Sequence, residues 1–555
     1  MNQPRRASPE LIALVALWAL LHIPALFSHQ PWHFDELRYL EVARQMGEYG
    51  NWLVPHINAE VYTEKPPFFF WCVVIVQRVV RDYLIAGHLT VALALLASAL
   101  LSMHLGRLLF GSARVGAFGG GLMLTFFFVH DIGTRVLLDP FFIALTTAGT
   151  VALLHAAITE TWRRRLGWTA LAALATAASC MTKGPVGIAV IAIAAVALGV
   201  VWRGRKGISV VALLTAAAVG GALTLLWVYL AALEAGWWYF ERMVFRQTVG
   251  RAVQSWAHQK PWWMYIANLP RMLLPWIVLL PAAIWGAWRA RRAHGGRAGL
   301  GLSAWVVATI VFFSFMSGKR MGYLAPIYPA LGLFIAWGVS RHVLLPANLP
   351  RKLLADVPRL VVTALPFVGA LLALALAMLP WLPLENSMPG DSQAAWIALP
   401  GATTPIAAGF AVLLAGAGGY ISRLHEPVER ALCAGLFTVA ALAALAHATL
   451  YPAFDRQYTA EPLAQYLRAN KPDDETMVFL NDHKDGRFNY YLNVRGHEVL
   501  RARELDERAD QPGRLWVAAY SKQWKDDVKP PARDRFELKF EYQWAGSTVQ
   551  IWAEK

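Results

Sequence analysis

Two short stretches that follow the first apolar segment hold the side chains best suited to chemistry. Residues 33–39 read HFDELRY, and residues 62–67 read YTEKPP directly before another apolar run. Proline favours the first position of a helix, so Glu64 and Lys65 lie near a helix N-terminus, where backbone N–H groups and the helix dipole attract anions. These stretches therefore contain candidate acids and bases and an anion-binding lysine. Ordinary charges in a solvated loop are the alternative interpretation.

Further basic residues recur near the ends of apolar runs. The topology derived below places them on the same side of the membrane as these two stretches. They are Lys183, Arg246, Arg251, Lys260, Lys319 and Arg320. Long basic side chains near a membrane boundary often only extend toward water, which is the simpler interpretation. Together with Lys65 they predict a pocket for the phosphate of a lipid head group, because arginine contacts phosphate through two N–H groups and lysine adds a point charge.

A third acidic residue and a histidine are less clearly placed by sequence alone. Asp139 precedes a proline and opens a predicted membrane-spanning helix, so a helix cap paired with Arg135 is one interpretation. His258 is a candidate metal ligand together with Glu64 and Asp35, although no paired histidine spacing accompanies it. A divalent metal at Glu64 and His258 is therefore an expectation that spacing does not support. No glycine-rich nucleotide loop beside a strand is visible.

The composition of the chain places these residues in a membrane protein. Of the 555 residues, 57% are hydrophobic and 16% are charged, and the net charge is +15. Soluble proteins average about 45–50% apolar and about 25% charged residues. A soluble nucleic-acid-binding protein needs far more polar surface, so no nucleic-acid partner is expected. The three cysteines lie inside apolar runs, which argues against a disulfide framework or a zinc cluster.

Apolar runs of 16–25 residues, long enough or nearly so to cross a bilayer, predict about thirteen membrane-spanning helices. They lie near 11–27, 88–109, 115–131, 140–158, 168–182, 185–201, 208–233, 271–288, 302–317, 323–339, 360–379, 404–421 and 431–450. Basic turns after the even-numbered helices fall on the same side as Arg5 and Arg6, which predicts a cytoplasmic N-terminus. The apolar run 68–80 is then an interfacial or re-entrant helix. Counting it as a span would place the N-terminal arginines on the side opposite to all the other basic turns.

This topology places loops 28–87 and 234–270 and the tail 451–555 on the outer, periplasmic face. The predicted fold is a polytopic α-helical membrane domain at 1–450, whose two outer loops form the active site, followed by a small soluble α/β domain at 451–555. The tail contains a predicted helix and four β-like runs bounded by Asp, Gly and Pro. The helix is at 461–469, and the runs are at 476–480, 514–520, 536–542 and 548–552.

At these residues the sequence resembles the membrane-embedded type C glycosyltransferases that use polyprenyl-phosphate sugars as donors. It is most similar to the bacterial aminoarabinose transferases that modify lipid A and to the related protein mannosyltransferases. Six pieces follow the family's order over roughly residues 11–340. They are 35–39, 64–67, Asp139, 182–185, 251–265 and 319–326. The sequence departs from the family at 246–251, which lacks an acidic residue, and at 32–34, which lacks the usual proline.

The resemblance implies an inverting glycosyltransferase of the bacterial inner membrane. Its donor would be a sugar on undecaprenyl phosphate, and its acceptor lipid A or a related envelope glycolipid. The implied catalytic residues are Asp35, Glu64 and Asp139. Those that would bind the donor phosphate are Lys65, Lys183, Arg251, Lys319, Arg320 and Tyr323. The substrate pocket would be lined by Glu36, Arg38, Tyr39, Tyr62 and His258.

The chemistry at Asp35 depends on which acceptor is used. A hydroxyl acceptor needs a carboxylate to take its proton, whereas a phosphate acceptor is already ionised near neutral pH. Two other functions stay open at this point. One is a mannosyl- or hexosyltransferase that acts on protein or glycan, and the other is a lipid or sugar transporter. The absence of a visible internal repeat disfavours a transporter built from inverted halves.

Overall fold

The protein is described by a computed structural model that is predominantly α-helical, with one sheet in the tail. The structure describes residues 8–555 with internal gaps. The gaps are 29, 32–33, 59, 201–208, 251–259, 294, 344–363, 376, 379–405, 408, 411–412, 414–427, 481–489, 492–497, 502–503, 511–512, 531 and 545–546.

The first part of the membrane domain contains ten helices. They are α1 (Pro9–Ser28), α2 (Phe34–Tyr49), α3 (Phe68–Val80), α4 (Tyr83–Phe110), α5 (Ala113–Thr125), α6 (Phe127–Gly133), α7 (Asp139–Ile158), α8 (Trp162–Lys183), α9 (Val186–Leu198) and α10 (Val210–Ala235). Local chemistry sets the ends of α4. Asp82 accepts a hydrogen bond from the Ile85 N–H at 2.7 Å where the helix begins, and Gly111 ends it in the left-handed conformation.

The second part of the membrane domain mixes long helices with short irregular turns. The helices are α11 (Trp237–Glu241), α12 (Met264–Met272), α13 (Leu280–Arg289), α14 (Gly296–Ser314), α15 (Tyr328–Val343), α16 (Ala364–Ala375) and α17 (Val428–Tyr458). A π-helix covers Arg242–Gly250, and 3₁₀ turns cover Trp276–Leu279, Ala290–Arg292 and Met321–Ile327. The two parts share one buried core, in which the Trp276 indole donates to the Thr125 hydroxyl at 2.8 Å.

Among the described residues, seven helices are long and apolar enough to cross a membrane. The count rises to nine if each of two bent pairs forms one span. One pair is α5 with α6, bent by 68°, and the other joins α12 to residues 276–292 at 101°. The prediction of a polytopic α-helical membrane protein is confirmed. The described residues do not confirm a count of thirteen, and most of the predicted span 404–421 lies outside them.

The segment between α1 and α4 packs as one unit against the membrane domain. It contains α2, a two-stranded antiparallel hairpin of β1 (His56–Ile57) and β2 (Glu60–Val61), and α3. Leu40 of α2 and Phe70 of α3 share a buried cluster with Val136, which precedes α7. The structure places α3 at 68–80, where the sequence predicts an interfacial helix. Its 13 residues are too few to span a hydrocarbon core of about 30 Å.

The tail folds around a five-stranded sheet with the strand order β4-β3-β5-β7-β6. The strands are β3 (Thr476–Leu480), β4 (Glu498–Leu500), β5 (Leu515–Tyr520), β6 (Phe536–Trp544) and β7 (Ser547–Glu554). β3 pairs in parallel with β4 and β5, while β7 runs antiparallel to β5 and β6. The four predicted β-like runs correspond to β3, β5, β6 and β7. The predicted helix at 461–469 corresponds to α18 (Glu461–Asn470), and β4 was not predicted.

Alternation along the strands divides the tail into two hydrophobic cores. Phe479 points to the core that α18 covers, whereas its neighbours Val478 and Leu480 point to the opposite core. The short helices α19 (Leu505–Ala509) and α20 (Ser521–Asp527) and a 3₁₀ turn at Ala532–Arg535 contribute to that second core. The sheet therefore carries a helix-covered core on each face.

Candidate active site

Asp35 lies in the first turn of α2, where the helix dipole favours a negative charge. Its Oδ1 is 3.3 Å from Nη1 of Arg38, one turn later on the same helix. Its Oδ2 is 3.9 Å from Nη1 of Arg320, which is remote in sequence. The Asp35 side chain is only 13% exposed. One carboxylate is thus flanked by two arginines from separate parts of the chain.

Arg38 connects the two sequence stretches that carry most of the predicted chemistry. Its Nη1 donates to Oε2 of Glu64 at 3.0 Å, so the same guanidinium faces Asp35 and Glu64. Glu64 is about one third exposed, and the following residue, Lys65, is half-buried. The structure therefore brings together the acidic residues of 33–39 and 62–67.

Asp139 and Lys183 form a second, more closely contacting pair. Lys183 ends α8, and its Nζ donates to Oδ1 of Asp139 at 2.7 Å. The same Nζ also donates to the carbonyl of Gly322 at 3.3 Å and lies 5.1 Å from the centre of the Phe142 ring. Arg135 instead pairs with Asp131 at 2.7 Å. Lys183 therefore ties α7 and α8 to the turn that carries Arg320.

The segment 317–323 presents its two basic side chains differently. Lys319 is buried, and its Nζ donates to the Met316 carbonyl at 2.6 Å. Arg320 is 44% exposed and reaches toward Asp35. Tyr323 is half-buried and stacks on Phe313 with 5.5 Å between ring centres. Arg320 is thus the basic side chain of this segment that is open to a ligand beside Asp35.

Three further predicted residues, Glu36, Tyr39 and Tyr62, are buried behind this site. Glu36 accepts a hydrogen bond from the Val136 N–H at 3.2 Å and is completely buried, so its carboxylate holds the backbone that precedes α7. Burial raises the pKa of Tyr39 well above its ordinary value, and the nearby charges of Asp35 and Asp139 act in the same direction. Burial likewise raises the pKa of Tyr62, followed by the charge of Glu64. Both phenols are therefore neutral hydrogen-bonding groups at physiological pH.

The described site contains three carboxylates among three cations. The carboxylates are Asp35, Glu64 and Asp139, and the cations are Arg38, Lys183 and Arg320. Fixed cations with little surrounding water stabilise negative charge that develops on a leaving group. A carboxylate at the same place accepts a proton from an acceptor hydroxyl. The arrangement suits a displacement in which an anion departs.

Two predicted residues, Arg251 and His258, lie outside the described residues. Within the part of the chain that the structure describes, no group of three or more His, Cys, Asp or Glu side chains is arranged to hold a metal ion. Glu64, the other predicted metal ligand, is paired with Arg38. Of the residues predicted at Glu64 and His258 to hold a metal, the described part of the chain therefore includes only Glu64.

Sequence reasoning missed the part played by Gly322. A Cβ added at this position would lie 2.0 Å from Oδ1 of Asp139, so only glycine allows the turn to approach that carboxylate. The signal in the sequence is a glycine two residues after Arg320, at the start of an apolar run. It identifies a close backbone approach only once α7 is known to lie opposite.

The first part of the chain, which carries most of this site, matches the model of a known protein family. Residues 8–290, just over half of the chain, match the family model described as dolichyl-phosphate-mannose-protein mannosyltransferase. The matched range includes Asp35, Glu64, Lys65, Asp139 and Lys183. The carboxylates of the site and two of its predicted phosphate-binding lysines thus fall within the matched range.

The chain is also similar to bacterial proteins named undecaprenyl phosphate-α-4-amino-4-deoxy-L-arabinose arabinosyl transferase. The relative from Edwardsiella ictaluri is 30% identical over 331 residues, which cover 59% of each chain. The relative from Erwinia tasmaniensis is 30% identical over 425 residues, 75% of this chain and 74% of its own length. In the first of these, the match spans about three fifths of the relative's length.

A solved structure has the same fold over nearly the whole chain. The crystal structure of ArnT from Cupriavidus metallidurans, bound to undecaprenyl phosphate, superposes with a TM-score of 0.75. The superposition covers 98% of this chain and 97% of that one, at 19% sequence identity. At this identity the similarity establishes the fold alone.

Proposed function

This chain belongs to the dolichyl-phosphate-mannose-protein mannosyltransferase family, and from that premise we propose that it is an inverting glycosyltransferase. Its donor is a sugar on undecaprenyl phosphate, and its acceptor is lipid A or a related envelope glycolipid. The observation that carries this proposal is the identity of about 30% with relatives named for undecaprenyl-phosphate-linked aminoarabinose transfer. The cations around Asp35 support it, because the leaving group of the reaction is a phosphate.

The donor phosphate binds on the side of Arg320 that faces Asp35. Arg320 is the described arginine of the site with substantial exposure, and Lys65 directly follows Glu64, which pairs with Arg38. Arg251 contributes a second guanidinium from the loop 234–270. The neighbouring residues that support this position are Lys183, Lys319 and Tyr323. The two lysines hold the turn that carries Arg320. Contacts from these cations to the phosphate stabilise the negative charge that develops on it as the glycosidic bond breaks.

Asp35 has the role that the acceptor requires. With a phosphate acceptor, its carboxylate orients the sugar or the acceptor and takes no proton, because the acceptor is already ionised. With a hydroxyl acceptor, it removes the proton as the oxygen attacks the anomeric carbon. A single attack at that carbon inverts the configuration, and Glu64 and Asp139 hold Arg38 and Lys183 in place beside it.

The membrane topology belongs to the same proposal. The chain crosses the bacterial inner membrane about thirteen times, with its N-terminus in the cytoplasm and residues 451–555 in the periplasm. The orientation is supported by the basic turns and by the position of the tail beside Asp35, since the lipid-linked sugar is used on the outer leaflet. A C-terminal alkaline phosphatase fusion should be active and a C-terminal fluorescent fusion dark. The reverse pattern would contradict this orientation.

The central test is product analysis in membranes that contain the protein. Membranes are incubated with lipid A and with each of several defined undecaprenyl-phosphate sugars, and the products are read by mass spectrometry. We expect a mass increment of one aminopentose on lipid A with the matching donor. Arg320→Gln should reduce this product, while Arg291→Gln, at a half-buried arginine stacked on Trp288, should leave it unchanged. Absence of any sugar transfer from every donor would refute the proposed reaction.

A second candidate acceptor is favoured by the description of the family model. That model is named for transfer of mannose to protein, which supports a mannosyl- or hexosyltransferase that acts on protein or glycan. The same membranes incubated with lipid-linked mannose and a periplasmic protein extract distinguish the two. A hexose increment on protein, without modification of lipid A, would select this second function.

A divalent metal bound by Glu64 and His258 completes the proposal. Its role would be to neutralise charge near the donor phosphate, which metal ions provide as Lewis acids. Treatment with a chelator should then lower transfer, and added Mn²⁺ or Zn²⁺ should restore it. Transfer that is unchanged after complete chelation would remove the metal from the proposal without affecting the reaction itself.

A further inference from the structure

Leu37 lies on α2 between Asp35 and Arg38, yet its side chain belongs to the core of the tail. It is 1% exposed and joins a buried cluster whose other members all come from residues 460–553. Among them are Leu463 and Leu467 of α18 and Ile551 of β7. The hydrophobic core of the tail is therefore completed by a residue from the active-site helix.

The same turn of α2 is held from another direction by the membrane domain. Glu36 accepts its hydrogen bond from the Val136 N–H, and Leu40 packs in the cluster that contains Val136 and Phe70. Successive residues on a helix point about 100° apart, so Glu36 and Leu37 face different neighbours. The first turn of α2 is thus fixed between two separate hydrophobic clusters.

Two further contacts join the tail to this region. Tyr490 of the tail packs against the cluster formed by α2 and α3, and burial raises its pKa. Near the end of α17, the carboxylate of Asp455 accepts the Gln30 N–H at 3.1 Å on each oxygen. The tail therefore contacts this segment before α2, at Gln30, and also at the cluster that α2 and α3 form.

We propose that the tail domain is a positioning element of the active site, and that Leu37 is the positioning residue through which it acts. By occupying the tail's core, Leu37 fixes the rotation of the first turn of α2. That rotation sets where Asp35 and Arg38 stand, because residues three apart share one face of a helix. This inference rests on the proposed glycosyl transfer and gives the tail a part in it.

The chain offers a matched control for Leu37. Leu515 of β5 is also completely buried in the tail, but it lies in the core on the opposite face of the sheet, whose members all belong to the tail. Leu37→Ala and Leu515→Ala remove the same atoms from two cores of one domain. Only the first of these cores includes α2.

The experiment measures kcat, the donor KM and the thermal midpoint of both variants in reconstituted membranes. Leu37→Ala should lower kcat by about 10²-fold, the cost typical of an ångström-scale misplacement, with a smaller change in donor KM. Leu37→Met, which keeps a large apolar side chain, should retain most of the wild-type kcat. Leu515→Ala should lower the thermal midpoint comparably while keeping its kcat. Equal loss of kcat in both alanine variants, or wild-type kcat in Leu37→Ala, would overturn the proposal.

Hydrogen exchange separates a failure of this inference from a failure of the proposed function. Backbone amides of residues 36–40 should exchange faster in Leu37→Ala than in wild type or Leu515→Ala, whether or not a sugar is transferred. If wild-type membranes transfer no sugar, the proposed function fails and this exchange still tests the positioning. Unchanged exchange in Leu37→Ala would show that the tail does not fix α2.

Discussion

Two carboxylate–cation clusters meet at segment 320–322, and they are built in opposite ways. Asp35 stands 3.3 Å from Arg38 and 3.9 Å from Arg320, and Arg320 is 44% exposed. Asp139 stands 2.7 Å from Lys183, with both side chains less than one fifth exposed. The first carboxylate shares longer contacts with an accessible cation. The second makes one short contact with a mostly buried cation.

The difference separates reacting groups from groups that hold them. The 3.9 Å contact to Arg320 can be exchanged for a contact to a ligand phosphate, because the Arg320 side chain is 44% exposed and a ligand can reach it. The short Asp139–Lys183 pair is shielded from water and also binds the Gly322 carbonyl, so it fixes the backbone beside Arg320. Substitutions in the two clusters should therefore differ in their balance of activity and stability.

The largest expected effect is that of Asp35→Asn. Loss of the carboxylate should lower sugar transfer by about 10³-fold, in the range for removal of a general base or an equivalent charge. Because asparagine keeps the shape of the side chain and an oxygen that can accept from Arg38, the thermal midpoint should change little. Transfer assays and melting of the purified protein in detergent check both parts. Full activity, or unfolding that accounts for the loss, would contradict an exchangeable role for Asp35.

The second prediction concerns the Asp139–Lys183 pair. Lys183→Met leaves a mostly buried carboxylate without its partner, which should destabilise the protein by about 3 kcal/mol and lower transfer by about 30-fold. Adding Asp139→Asn should recover part of the stability, because the unpaired charge is then removed. A thermodynamic cycle of the two single variants and the double variant measures this coupling. Additive losses of stability would show that the two side chains are not coupled.

The third prediction tests the close approach of the backbone at Gly322 to Asp139. In Gly322→Ala the new Cβ would lie 2.0 Å from Oδ1 of Asp139, so either the turn or the carboxylate must shift. We expect about 1–3 kcal/mol of destabilisation and roughly a tenfold loss of transfer. Gly221→Ala in α10 is the control, since its nearest atom lies at 3.8 Å. Equal behaviour of the two alanine variants would show that the turn has room to move.

The comparison also explains which parts of the molecule the sequence could predict. The strands at 476–480 and 515–520 and the helix at 68–80 follow from local apolar patterns, so their predicted bounds agree closely with the structure. β4 has only three residues, Glu498–Leu500, and forms by pairing with β3 rather than through a pattern of its own. Elements fixed by neighbouring residues were predictable, and those fixed by remote pairing were not.

The site shows the same division. The candidate residues could be chosen from charge and spacing, and the structure brings Asp35, Arg38, Glu64 and Arg320 together. The partner of Asp139 could not be chosen in this way. Arg135 is near in sequence but pairs with Asp131, whereas Lys183 reaches Asp139 because α7 packs against α8. Which cation pairs with Asp139 depends on how the helices pack, and this cannot be derived from the neighbouring residues in the sequence.

The smallest expected effect concerns the phenols behind Asp35. Burial raises the pKa values of Tyr39 and Tyr62 above about 10, so the folded state favours the neutral form. The stability gained by burying neutral phenols is present below pH 10 and lost as the pH rises through the folded-state pKa values. Thermal midpoints should thus fall only above pH 10. Tyr62→Phe should fall less steeply than wild type, while Tyr49→Phe, at an exposed tyrosine, should match it. A decline that begins below pH 9 and disappears in Tyr62→Phe would show that Tyr62 ionises well below the pH that its burial implies.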